Sequence, residues 1–284
     1  MGKTSLSPGI RYDMPATFGA SVAPDLETGF DLRGSEIVFE TDPAAVDALL
    51  PAWYRATERP VVSVCYRHMI NMGWMGGRDY QLVTVRVTAH CDSVEGAPVH
   101  PYSWVIWESD CAPILAGREL MGSPKLFARI PIAAVGADDH EFTCHEYDAL
   151  LVRGRLHGMS ELSDAERSLA LGRMRASRSY YWKYIPGTQG TVDVDYPVAI
   201  RMDIPYVAMW RGSAELELGT PDPVAAPYSS KIMTALAALP QRSELTATSW
   251  HAENCSLFRG ETRRLDQPGV EDWLRGDAVD VLRE

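Results

Sequence analysis

Long apolar runs are missing from this 284-residue chain: uninterrupted stretches are as short as IPIAAVG at 130–136, far below the ~20 residues that cross a bilayer. No membrane-spanning segment is expected. The N-terminus, MGKTSLSPGIRYDMP, has one lysine and no apolar stretch behind it, which is not the pattern of a secretory signal, so a cytoplasmic location is expected. Cysteine is scarce and unpatterned. Cys65, Cys91, Cys111, Cys144 and Cys255 are odd in number and never spaced as CxxC, which fits reduced, mostly buried thiols rather than a disulfide framework. His90-Cys91, Cys144-His145 and Cys65 with His68 place soft ligands close together. Adjacent strand residues point to opposite faces, though, and paired CxxC or HxxxH elements are lacking, so no metal site is expected. The Gly-x-Ser-x-Gly elbow of serine hydrolases and the glycine fingerprint of dinucleotide binding are also missing. Positive charge is the minority: 27 Lys and Arg against 38 Asp and Glu leave a net charge of −11, and such a field repels phosphate backbones. Nucleic acid is not an expected partner, and the aromatic run at 178–184 reads as a half-buried strand rather than a base-stacking platform.

What is present is a turn-rich globular composition, with 22 glycines, 19 prolines and 46% hydrophobic residues, favouring many short strands over a helical bundle. Order is expected from Glu36. Asp42 and Pro43 then cap and start a short helix. Strand-like segments follow at 61–66, 82–88, 102–107, 127–132 and 150–156, separated by Gly, Pro and Asp turns. Ser163-Asp164-Ala165-Glu166 is a capping box opening a helix to about Met174. A second β block covers 180–218, a helix 229–239, a further strand 243–257 and a terminal amphipathic helix 270–282. No repeat or linker divides the chain. The expected architecture is β-rich α+β: one domain over 33–284 behind an N-terminal arm at 1–32. Its sheet is a mostly antiparallel, closed or nearly closed β-barrel with three to four inserted helices, since closure removes sticky edges.

One segment stands apart: Gly117-Arg118-Glu119-Leu120-Met121-Gly122-Ser123-Pro124-Lys125-Leu126-Phe127. By composition alone it is a Gly/Pro turn with a solvated lysine. The string resembles the active-site segment of the acetoacetate decarboxylase family, in which a GREL run leads through a proline to an imine-forming lysine. The stretch from Glu36 to Pro51, the run Tyr181-Trp182-Lys183-Tyr184-Ile185-Pro186, and Trp210-Arg211-Gly212 with the following 216–240 segment extend the likeness over most of 33–260. The resemblance implies a cofactor-free, Schiff-base-forming lyase acting on small oxo acids, and a homo-oligomer.

An imine-forming lysine attacks as the free amine, whereas an ordinary ammonium with pKa ~10.4 is less than ~0.1% neutral at pH 7. Burial among Leu120, Met121, Leu126 and Phe127 disfavours the charged form. An iminium on Lys125 then withdraws electrons from the adjacent carbon, which sheds CO₂ or a proton. Two departures from the family pattern bear on which bond breaks. The family's second lysine is Leu126 here. Where the family places a glutamate near the substrate carboxylate, the alignment puts Gln81, a neutral amide that holds a carboxylate rather than repelling it. These residues favour pyruvate aldolase-dehydratase or hydratase chemistry, with an aldehyde as a second substrate. β-Keto acid decarboxylation and a non-catalytic ligand-binding barrel are the alternatives. The implied site is Lys125, Gln81 and Tyr80 as catalytic groups, with Arg33, Arg118 and Glu119 around the substrate. Tyr80 and Gln81 are neighbours on a strand, so one of the two reaches the pocket. Arg118 with Glu119 reads equally well as an ion pair shaping the turn.

Overall fold

The computed structural model describes residues 29–275, together with 6–7, 12 and 14–20. Twelve strands form a single sheet: β1 (Phe30–Glu40), β2 (Tyr54–Ala56), β3 (Val61–Met72), β4 (Arg78–Cys91), β5 (His100–Glu108), β6 (Lys125–Phe127), β7 (His140–Glu146), β8 (Ala149–Glu161), β9 (Ser179–Pro186), β10 (Val192–Asp203), β11 (Tyr206–Leu218) and β12 (Thr246–Arg264). The described helices are α1 (Pro43–Asp47), α2 (Cys111–Ala116), α3 (Asp164–Ala176), α4 (Ser230–Ala237) and α5 (Glu271–Arg275).

The pairing order β1-β3-β4-β5-β9-β10-β12 returns to β1, closing a ring of strands. β10 and β11 follow β12 as nearly one strand, from Val198↔Arg264 to Ser213↔Thr246, bent at Ile204-Pro205 where proline removes a ladder donor. β1 takes the opposite edge of β12. β11 then leaves the ring to pair with β8, and β8 with β7. The expected barrel is thus a ring with an added β11-β8-β7 layer. It is mostly antiparallel, with parallel pairs where β5 meets β6 and β9.

This arrangement gives β1, β3 and β4 two buried faces. Ile37, Val64, Tyr66, Val83, Val85 and their neighbours pack outward against Phe142, Leu156 and Met233 in the larger core. Leu32, Cys65, Met69, Tyr80 and Leu82 point into the ring, forming a second apolar cluster. A period of two on strands covered on both sides explains the near-continuous valine runs of β3 and β4. Each fully buried valine or leucine contributes roughly 1.5–3 kcal/mol.

Local signals hold α1 and α3 as expected, whereas α2 was not expected. Asp42 accepts from the Ala44 and Ala45 amides ahead of α1, and Ser163 with Glu166 forms the reciprocal capping box of α3. The differences have physical reasons. β1 starts at Phe30, six residues before Glu36, because Phe30 and Leu32 are buried inside the ring. The strand expected at 127–132 shrinks to β6, since Pro131 cannot donate, and only Arg129 bridges onward, to His145. β7 was not expected, because HEFTCHE carries only Phe142 and Cys144 as apolar residues, and its third buried position is Glu146, which accepts from the Tyr228 and Ser229 amides. Most of the arm, and the terminal helix beyond Arg275, lie outside the described residues.

Candidate active site

The GREL segment folds around Lys125. α2, capped by Asp110 accepting from the Ala112 amide, runs into a π-helical turn over Gly117–Met121. Gly122 ends the turn at φ +70°, a left-handed conformation that glycine adopts without penalty. A side chain there would also collide with the backbone and Cβ of Lys183. Lys183 on β9 in turn donates to the carbonyls of Glu119 (2.8 Å) and Leu120 (3.1 Å), closing the carbonyl end of the turn. Pro124 ends the loop, and β6 pairs in parallel with β5, setting Lys125 opposite Ile106.

From there the Lys125 side chain enters the ring, packed against the bare face of Gly117. A Cβ at position 117 would stand 2.5 Å from Lys125 Cε and 2.7 Å from Nζ. Nζ lies 2.8 Å from Glu108 Oε1 and donates to the Pro113 carbonyl at 2.9 Å. Glu108, at the end of β5, is fully buried. Burial pushes its carboxyl above the usual range, opposed by the adjacent Lys125 ammonium. A buried carboxyl of this kind takes a proton readily, so the pair can pass from ammonium and carboxylate to amine and acid.

Lys125 and Glu108 line a cavity of about 90 Å³ inside the ring. Its walls are largely apolar, with Met69, Leu82, Ile106 and Ile200 prominent. Alternate residues in the first half of β4 face it: Tyr80, Leu82, Thr84 and Arg86. The Tyr80 hydroxyl is kept protonated by burial first and by the nearby Glu108 second, which raise it well above its ordinary range. Arg86 pairs with Glu36 and donates to Ser63 Oγ. Arg67 also lines the cavity, and its Nε is buried without a hydrogen-bond partner. Among the described residues no carboxylate stands within ion-pair distance of Arg67.

Of the residues implied by the sequence, Lys125 and Tyr80 come together, and four do not join them. Gln81 sits within β4 with the opposite pleat parity. Its Oε1 accepts from Ser109 Oγ at 3.2 Å, and it does not line the cavity. The strand begins at Arg78, so the expected segment before a Leu82 strand is part of the strand itself. Arg33 is exposed on β1, where odd positions between buried Leu32 and Gly34 face away from the ring. Arg118 is exposed as well and donates to the Lys125 carbonyl at 2.9 Å, bracing the loop rather than entering the pocket. Glu119 meets Lys183 through its backbone carbonyl and does not pair with Arg118 among the described residues. Sequence reasoning missed Glu108, Arg67 and Arg86. The signal was present in the last: a lone arginine within LVTVRV is costly on a buried strand unless something inside uses it.

Residues 13–254 match the acetoacetate decarboxylase family, and the chain belongs to that family. Acetoacetate decarboxylase 1 of Bradyrhizobium diazoefficiens is 28% identical over 208 residues, covering 73% of this chain and 78% of that protein. Among solved structures, the acetoacetate decarboxylase of Legionella pneumophila shares the fold with a TM-score of 0.59 at 20% identity, over 81% of this chain and 85% of that one. The enduracididine biosynthesis enzyme MppR, complexed with the condensation product of pyruvate and imidazole 4-carboxaldehyde, does so with a TM-score of 0.63 at 14% identity, over 93% and 98%. No described helix is long and apolar enough to cross a membrane.

Proposed function

We propose that the protein is an imine-forming lyase that binds a short oxo acid with Lys125 at the carbonyl and Arg67 at the carboxylate. The observation that carries this reading is the buried pair of Lys125 Nζ and Glu108 Oε1, 2.8 Å apart in an apolar cavity. Glu108 takes a proton from the ammonium, and the freed amine adds to the carbonyl carbon. The protonated Glu108 then returns its proton to the carbinolamine oxygen, which leaves as water, and an iminium remains opposite a carboxylate. That carboxylate is placed to remove an α-proton, converting the iminium to an enamine, the carbon nucleophile of an aldol condensation. Tyr80, held protonated, donates a hydrogen bond to whichever oxygen develops charge.

Retention of the substrate carboxylate is favoured over its loss. Gln81, lying outside the cavity, contributes nothing to that choice. Arg67 does, because an uncompensated guanidinium stabilises a carboxylate and so opposes its departure as CO₂. Aldolase-dehydratase or hydratase chemistry follows, and the pyruvate condensation product held by MppR is compatible with it. β-Keto acid decarboxylation is the second reading, supported by the Bradyrhizobium relative. Borohydride reduction in the presence of pyruvate should fix an adduct on Lys125 that Lys125→Ala abolishes, and an unmodified wild-type protein overturns the imine. Rapid release of acetone and CO₂ from acetoacetate, with no condensation of pyruvate and aldehydes, decides for the second reading.

A further inference from the structure

Inside the ring the space does not end at Lys125. A second chamber, of about 450 Å³ against about 90 Å³, continues past Arg67, Arg86, Ser179, Ile200 and Met202, which line both. α3 covers its outer side through Ala170, Arg173 and Met174, and Trp250 and Ile204 give it apolar wall.

Its charge runs against that of the whole molecule. The chamber is lined by five arginines (Arg67, Arg86, Arg173, Arg178 and Arg211) and one carboxylate, Glu36, in a chain of net charge −11. Two of the five are occupied. Arg86 is paired with Glu36, and Arg178 is buried and donates to the carbonyls of Arg175, Ser177 and Trp273. Arg211 reaches Glu166 only at 3.6 Å, at an exposed position. Arg173 and Arg67 have no carboxylate within ion-pair distance among the described residues. Guanidinium groups gathered around a cavity whose one lining carboxylate, Glu36, is already paired with Arg86 are a site for an anion.

We infer that the chamber receives a second carboxylate, so that the substrate of the Lys125 site is an oxo dicarboxylate. Its near carboxylate lies at Arg67, its carbonyl at Lys125, and its far carboxylate in the outer chamber at Arg173 and Arg211. The methylenes between them lie along Ile200 and Met202. This deepens the imine-forming reading and rests on it.

Borohydride trapping on Lys125, followed by mass spectrometry, tests the inference with 2-oxoadipate and 2-oxohexanoate, which match in length and differ only in the far carboxylate. In the wild-type protein the diacid should half-saturate trapping at a concentration lower by about tenfold or more. In Arg173→Gln that ratio should fall, and in the Arg173→Gln/Arg211→Gln double variant it should approach one. Both positions are exposed or half-exposed, so the variants should fold. Equal half-saturation in the wild type, or a ratio the double variant does not move, overturns the second-carboxylate site while leaving the imine standing. The absence of an adduct with every oxo acid removes the imine reading and this inference together.

Discussion

Gly117 yields its side-chain space to Lys125: a Cβ at Gly117 would sit 2.5 Å from Lys125 Cε and 2.6 Å from Cδ. The obstructed atoms are the free end of a flexible side chain, so the fold can absorb the clash while the amine cannot keep its position. Gly117→Ala should therefore leave the thermal transition nearly unchanged and slow imine trapping by about 10²-fold, the cost of misplacing a reacting group by roughly 1 Å. Thermal melts beside single-turnover trapping separate the two effects.

Glu108 is the nearest proton acceptor to that amine. In Glu108→Gln the ammonium keeps its neighbour but loses its base. Trapping at pH 7 should fall by about 10²–10⁴-fold, the usual contribution of a positioned acid-base group, and should recover as the pH rises and solvent takes over the proton. Trapping rate against pH for both proteins checks this, and parallel profiles would remove Glu108 from the mechanism.

Arg67 is expected to serve binding at the expense of stability. Arg67→Met removes an unpartnered buried Nε and keeps the aliphatic wall, so the melting temperature should stay level or rise. KM for the oxo acid should increase by roughly 10–100-fold, with a smaller change in kcat. Steady-state kinetics beside a thermal melt shows whether the two move in opposite directions.

His100 ties β5 to the end of α5 as a neutral ring. Its Nδ1 accepts from the Arg178 amide, and its Nε2 faces the Leu274 carbonyl. Burial first, and Arg178 second, lower its pKa to about 4. The unfolded chain binds this proton near pH 6.5 and the folded chain does not, so the contribution is complete above pH 6.5 and is lost as pH falls toward 4. The loss is about 3 kcal/mol. Urea denaturation at pH 7 and 4.5 should show a smaller pH dependence in His100→Gln, whose amide can keep both hydrogen bonds.

How much of this was legible follows from the range of the interactions. The Asp42 cap, the Ser163 capping box and the valine face of β4 are local patterns, and they read correctly. The closed ring was expected, but the early start of β1 depends on a distant partner, Ala252 opposite Leu32, and the β11-β8-β7 layer depends on β7, whose polar sequence hides its pairing with β8. The site divides in the same way. Lys125 was visible as a motif. Tyr80 and Gln81 were seen as rivals, and the pleat chose Tyr80 because Leu82, Thr84 and Arg86 share its parity. Glu108 went unnoticed because a glutamate at a strand end ordinarily faces water, and only the parallel pairing of β6 with β5 brings it to the amine.

That parallel pairing also separates two properties of the enzyme. The proposed reacting pair, Glu108 and Lys125, comes from one short stretch, residues 106–127, joined by α2 and the π turn, so the two groups are inherited as one cassette. Other walls of the two chambers come from β3, β4, β10 and α3, elsewhere in the chain. With the imine at Lys125 as proposed, substitutions at Arg67, Arg173 or Met202 would redirect which acid is accepted without touching the proposed reacting atoms, so that substrate choice could change while the chemistry stayed fixed.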